Sequence, residues 1–336
     1  MNKWYGEKGD NGSIVLSTRI RLARNIEEYP FPSRLDVEGK NKVNELVKSV
    51  VFENDPDNSF SYMEMKDLSR TQAVSLAERH VISPEFASCK EGTALILSSD
   101  ESVSVMLCEE DHIRLQVMKS GLALEEAFAK ADAIDSVLDE KLKYAFDERI
   151  GYMTSCPTNL GTAMRASVYL HLPALTACGQ ISAISNTVSS LGISITGAYG
   201  SRHQPLGDIY QVSNRITLGI TEETAIANLK SIVLQLINQE KNAAERELKN
   251  PAMEDKLFRA VGLLSNARLV NIGEFMELIS YVRMGAVNGI LDIPVEKINE
   301  LIYDVQPATV SVMNEDINSA SARDSKRAEM CREALK

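Results

Sequence analysis

Cys156-Pro157-Thr158-Asn159-Leu160-Gly161-Thr162-Ala163-Met164-Arg165-Ala166-Ser167-Val168-Tyr169 sets a thiol in a Pro- and Gly-containing loop just before an arginine-bearing strand pattern. From Met164 the apolar residues Met164, Ala166, Val168, Leu170 and Leu172 alternate with Arg165, Ser167, Tyr169 and His171, the period of a half-buried β-strand. Arg165 therefore lies on the polar face. Two further segments repeat the pattern. Ile14, Leu16, Thr18, Ile20 and Leu22 alternate with Val15, Ser17, Arg19, Arg21 and Ala23, so Arg19 and Arg21 share a face with Ser17. Ile113, Leu115 and Val117 alternate with His112, Arg114 and Gln116, and the parity carried back puts Glu110 on the Arg114 side.

Outward from these, strands are expected at Ala94 to Leu97, Val103 to Leu107, Ile193 to Thr196 and Ile209 to Leu218, and helices around Val43 to Val51 and over Leu124 to Leu142. Short turns such as Ser98 to Ser102 favour antiparallel neighbours over βαβ alternation. The fold class is α+β, a mainly antiparallel sheet flanked by helices. At Thr221, followed by Glu222 and Glu223, a helix starts that carries Ile226, Leu229, Val233, Leu236 and Ile237 as its apolar stripe. The charged run Glu240 to Lys249 before Pro251 reads as a linker or helix break, with only helices after it. This divides the chain into 1–245, a catalytic domain, and 246–336, a helical C-terminal domain.

Composition narrows the function. The 336 residues are 44% hydrophobic and 25% charged, enough for two ordinary cores. A formal charge of -11 argues against direct binding to nucleic acid or to an anionic membrane. Five cysteines without C-x-x-C or zinc spacing give neither a disulfide scaffold nor a metal site and suit a reducing cytoplasm. No signal peptide and no membrane span are expected.

A lone arginine on a strand is most simply half of a surface ion pair. Arg19, Arg21, Arg114 and Arg165, four of matching parity on three strands, would repel one another unless an anion lay between them, and a triphosphate meets that need. Neither G-x-x-x-x-G-K-[ST] nor G-x-G-x-x-G after a strand occurs, so side chains must hold the phosphates. Glu109-Glu110-Asp111-His112 is by itself a solvated acidic turn, but beside Arg114 it offers a carboxylate to orient a guanidinium and take its proton. Cys156 reads equally as a thiolate contact to such a guanidinium or as a small buried hydrophobe. His80, after the helical Ser75 to Arg79, suggests by position a packing or capping histidine.

These residues together resemble the ATP:guanidino phosphotransferases, the phosphagen kinases, and in particular their bacterial protein arginine kinase branch. The resemblance spans almost the whole chain and rests on Ser17 to Asn25, Glu109 to Arg114, Cys156 to Tyr169 and Gln211-Val212-Ser213-Asn214. It implies ATP-dependent phosphorylation of protein arginines, in stress response and protein quality control. Ser17, Thr18, Arg19, Ile20, Arg21, His80, Arg114 and Arg165-Ala166-Ser167-Val168-Tyr169 would contact ATP with Mg2+ on its phosphates, Glu110 would be the catalytic carboxylate, and Cys156 would face the acceptor. The loop Thr196-Gly197-Ala198-Tyr199-Gly200-Ser201 would close over them. The family's loop reads R-G-x-Y-G-E; here Thr196 replaces the arginine and Ser201 the second carboxylate, which predicts a slower transfer. Arg323-Asp324-Ser325-Lys326-Arg327-Ala328 matches an R-D-x-x-R-A phosphoarginine motif, with Arg323 and Arg327 four apart on one helix face. The same resemblance implies a zinc-binding activator protein, a heat-shock repressor and the Clp protease machinery as partners, and a homo-oligomer. The altered loop beside an intact motif also fits an impaired kinase that serves as a phosphoarginine-binding adaptor.

Overall fold

The computed structural model describes residues 3–200, 205–314, 316–317 and 319–335. Eight strands form one sheet in the order β2-β3-β4-β5-β1-β8-β10-β9, every neighbouring pair antiparallel. They are β1 (Val15–Arg24), β2 (Phe60–Glu64), β3 (Ala94–Ser98), β4 (Val103–Leu107), β5 (Ile113–Ser120), β8 (Met164–His171), β9 (Ile193–Gly197) and β10 (Ile209–Asn214); β6 (Phe146–Asp147) and β7 (Gly151–Tyr152) make a separate small ribbon. The three arginine-bearing strands are the sheet's centre.

One sheet face is apolar because Ile20, Leu22, Leu115, Val168 and Val212 all point to it. It packs on α1 (Val37–Glu53), α3 (Leu124–Leu142) and α6 (Glu222–Glu247), which contribute Val47, Leu138 and Leu229. On the opposite face two apolar covers meet the sheet at different places. Leu95, Leu97 and Met106 pack with Leu76 of α2 (Arg70–Glu78) and with Phe86. Leu16, Met118, Tyr169 and Ile209 pack with the C-terminal helices α7 (Pro251–Leu264), α8 (Ile272–Val287), α9 (Val295–Asp304), α10 (Pro307–Met313) and α11 (Ala320–Ala334). The short helices α4 (Pro173–Ala177) and α5 (Ile181–Ser189) link β8 to β9.

Helix starts follow the sequence chemistry. Thr221 caps α6 by accepting from Thr224 N at 3.2 Å, with Glu222 and Glu223 in the first turn. Ser69 and Gln72 close a reciprocal capping box at the start of α2. Two expectations need correction. Strand β10 ends at Asn214 rather than Leu218, because the Asn214 side chain accepts from Ala166 N at 2.8 Å and donates to Met164 O at 3.1 Å in place of further backbone pairing. Ile216 and Leu218 are consequently half exposed in a loop. The charged run from Glu240 is no linker: α6 continues through it to Glu247, since Glu240 is buried and accepts from Ala174 N and Leu175 N at 2.8 and 2.9 Å. The chain breaks only at 248–250, before Pro251.

Candidate active site

Register brings the predicted arginines together. Arg21 of β1 stands opposite Arg165 of β8 on one side and Gln116 of β5 on the other, and Arg114 stands opposite Ala23. Ser17, Arg19 and Arg21, with Arg114, Arg165, Ser167 and Tyr169, therefore lie on one face, where the two apolar covers leave the sheet open. Arg19 is buried, its guanidinium 5.2 Å from the Tyr169 ring centre, and Gln211 Oε1 accepts from its Nη2 at 3.2 Å. Gln211 Nε2 in turn donates to Ser167 Oγ at 3.2 Å, and Arg165 donates to Ser213 Oγ at 3.4 Å. Burial lowers the pKa of Arg21 well below the usual arginine range, and the charges of Arg19, Arg114 and Arg165 push the same way. A cluster that destabilises its own cations is one an anion would relieve.

His80 joins this group from the end of α2. Its ring centre is 5.0 Å from that of Tyr169 and 4.9 Å from that of Tyr199. Burial, reinforced by Arg19 and Arg21, lowers its pKa to about 3, so the ring is neutral at pH 7. His80 Nε2, Arg19 Nε and the Tyr169 hydroxyl are buried without a hydrogen-bond partner, which leaves polar capacity for a ligand.

At the other edge, Arg114 is gripped by Glu109 and reaches Glu110 Oε2 at 3.5 Å. Glu109 is fixed from behind by Ser83, whose hydroxyl donates to it at 2.5 Å. Glu110 keeps 43% of its side chain exposed. Partial burial raises its pKa, Arg114 opposes this, and Asp111, Glu109 and Glu85 add to the rise. Cys156 is half-buried with Sγ 3.0 Å from Thr158 Oγ1. Its loop is pinned to the acidic turn: Ser155 Oγ donates to Glu110 O and Ser155 N to Asp111 Oδ1, both at 2.7 Å. Gly161 lets the loop turn back. At φ +99 a Cβ there would lie 2.1 Å from Thr217 O.

Several predicted contacts are not on this face. The side chains of Thr18, Ile20, Ala166 and Val168 point to the opposite side, because a strand alternates. Thr18 Oγ1 there donates to Gly121 O at 2.7 Å, and the other three are core. Thr196, opposite Gln211 on β9, does face the cluster. Gly197, Ala198, Tyr199 and Gly200 follow it, and Tyr199 touches His80, while Ser201 lies outside the described residues. In α11 the two cations of the motif differ in burial. Arg327 is 1% exposed and donates to Val305 O at 2.9 Å, Val270 O at 2.8 Å and Asp324 Oδ1 at 2.7 Å, and Ala328 is core. Arg323 and Lys326 are half-buried, Ser325 is exposed, and Arg323 lines a cavity of about 270 Å³ with Arg70 and Glu78 of α2. Gln211 and Ser213 stand in a motif the sequence singles out, and Glu109 and Gln116 lie close to Arg114 along the chain, but their contacts, like the place of Tyr303 of α9, become visible only in the tertiary structure.

An antiparallel sheet with clustered arginines and an adjacent carboxylate suits a guanidino-phosphotransferase, and family comparison gives that class. Residues 42–243 match the ATP:guanido phosphotransferase C-terminal catalytic domain, and residues 250–336 match the protein-arginine kinase McsB C-terminal domain. The chain belongs to the protein-arginine kinase family. It is 41% identical to the protein-arginine kinase of Clostridium tetani over 100% of this chain and 99% of that protein, and 44% identical to that of Caldanaerobacter subterraneus over 94% and 95%. Among solved structures it resembles the duplicated taurocyamine kinase of Schistosoma mansoni with bound transition-state-analogue components, at TM-score 0.61 and 28% identity, over 68% of this chain and 33% of that one. Lombricine kinase, 23% identical with TM-score 0.61 over 71% of this chain and 69% of that one, shares the fold. No helix among the described residues is long and apolar enough to cross a membrane.

Proposed function

We propose that this chain transfers the γ-phosphoryl group of ATP to arginine side chains of proteins. The observation that carries the reading is the meeting of Arg19, Arg21, Arg114 and Arg165 on one sheet face, with Glu110 at its rim. The arginines and neutral His80 hold the triphosphate, and the Tyr169 and Arg19 stack keeps that wall rigid. Glu110 orients the acceptor guanidinium and takes its proton as the N–P bond forms and the bond to the ADP oxygen breaks. Cys156 adds a second contact to the acceptor. Among the described residues no group of three His, Cys, Asp or Glu side chains could hold a metal. Mg2+ bound to the ATP would supply charge neutralisation on the phosphates.

By the same family likeness the enzyme works in the cytoplasm, in stress response and protein quality control, with a zinc-binding activator, a heat-shock repressor and the Clp machinery as partners, and residues 1–245 and 246–336 act as catalytic and regulatory units. The adaptor reading is the second one, since it asks for phosphate binding by Arg327, whose Nε and Nη1 already donate within the fold. The test is mass spectrometry of phosphoarginine on an arginine-rich protein after incubation with Mg-ATP. Acid-labile product that disappears with Glu110→Gln is expected; absence of product from the unaltered chain, alone and with an activator, refutes the reading.

A further inference from the structure

The end of α2 is gripped by a helix far away in the chain. Pro307 opens α10 without an N–H, so Ala308 and Thr309 carry the first free donors of that helix. Glu78 takes both: Oε1 accepts from Ala308 N at 3.0 Å, and Oε2 accepts from Thr309 N at 2.9 Å and Thr309 Oγ1 at 3.1 Å. Ser75, one turn earlier, donates to Thr309 Oγ1 at 3.1 Å. Glu78 ends α2, and only Arg79 separates it from His80.

His80 has φ +60, an unfavourable conformation for a residue with a side chain, so its surroundings must hold it there. They do so on several sides. Gln116 Nε2 donates to the His80 carbonyl at 2.8 Å, and the ring meets Tyr303 of α9 edge-on at 6.1 Å. Both grips, the carboxylate on α10 and the ring on α9, come from the C-terminal helices.

We propose that Glu78 is a positioning residue for the nucleotide: by clasping the start of α10 it fixes the end of α2 so that His80 stays beside Arg19 and Arg21. ATP affinity then depends on Thr309, a residue that touches no nucleotide. The inference rests on the reading of the arginine face as the ATP site.

Two variants of the full chain test it. Glu78→Gln keeps the volume but turns one acceptor into a donor facing the α10 N–H groups, and Thr309→Val removes the hydroxyl at nearly constant shape. Each is expected to raise the KM for ATP about 3- to 10-fold with kcat within about 2-fold, the split that marks lost ground-state binding. In a His80→Ala background, Glu78→Gln should add nothing further, as for two residues acting through one contact. Ring NMR signals of the four histidines, read without nucleotide, should show the His80 signal displaced in both variants. An unmoved His80 signal, or an equal KM rise with and without His80, overturns the clasp. A displaced signal with unchanged ATP affinity in His80→Ala overturns the nucleotide role of His80 and the proposal with it. Should Glu78→Gln fail to fold, Thr309→Val carries the same readouts.

Discussion

Ser155 donates its hydroxyl proton to the main-chain carbonyl of Glu110 at 2.7 Å, so the loop bearing Cys156 and the turn bearing the candidate base are a single piece. Glu110→Gln should lower kcat by about 10² to 10⁴, the usual worth of a general base. Ser155→Ala leaves both groups in place but unties them, and a kcat loss of about 10-fold or more is expected, because small misplacements of reacting groups are costly. Steady-state phosphorylation assays on both variants check this, and an unchanged Ser155→Ala enzyme would show that the tie has no part in alignment.

Thr196 faces the arginine cluster from β9, where the related enzymes are expected to carry a cation. Supplying that charge together with the acceptor carboxylate, as Thr196→Arg with Ser201→Glu, should raise kcat. The gain expected is at least about 10-fold, below the 10³ to 10⁵ that a well-placed transition-state arginine can give. Phosphoarginine formation rates decide, and a double variant no faster than the parent means another group already fills the role.

Arg24 sits inside the arginine-rich motif yet works for the fold. Its Nε and Nη2 donate to Asp135 Oδ2 at 2.9 and 2.7 Å, and its guanidinium stacks 3.5 Å from the Tyr152 ring centre. Asp135→Ala strands that buried cation and should cost about 3–5 kcal/mol in urea unfolding. Replacing both partners, as Arg24→Met with Asp135→Leu, should recover most of the loss, and a single variant within 1 kcal/mol of the parent (about the worth of an exposed pair) would contradict the burial.

His171 lies buried between Ser280 Oγ at 2.9 Å and Arg283 Nη1 at 3.1 Å, and burial, reinforced by Arg283, lowers its pKa far below the ordinary histidine value. The unfolded chain protonates this ring near pH 6.5 while the native one does not, so its contribution is complete above about 6.5 and falls as pH drops, by up to about 1.4 kcal/mol per unit. Glu240 has its pKa raised by burial to about 7 and acts in the opposite sense, so the informative quantity is a difference. The stability advantage of the parent over His171→Gln should shrink between pH 7.5 and 5.5 in urea titrations. A constant difference would mean that the ring takes up protons alike in the native and unfolded chains.

The central strands were legible because alternation survives in them: Arg19, Arg21, Arg114 and Arg165 share the face their parity gave. Parity also warned against Thr18, Ile20, Ala166 and Val168, which a contiguous motif swept in with their neighbours. Two things escaped the sequence. The length of α6 depended on Glu240 finding backbone donors in α4, and the placing of Arg327 depended on carbonyls at Val270 and Val305, partners 57 and 22 residues away. A charged residue in a helix looks solvated until its long-range acceptors are known.

Arg283, fully enclosed, donates to the carbonyls of Gly12 and Ser13 and to Asn299 Oδ1 as well as meeting His171. A chain shortened after α6 would hand those two carbonyls to water in place of the guanidinium and would wet the aromatic and aliphatic side chains of Leu16, Met118 and Tyr169. Tyr169 belongs to the wall against which Arg19 rests. The shortened piece would thus lose the backing of that arginine wall, and the central sheet is finished only by the helices that follow it.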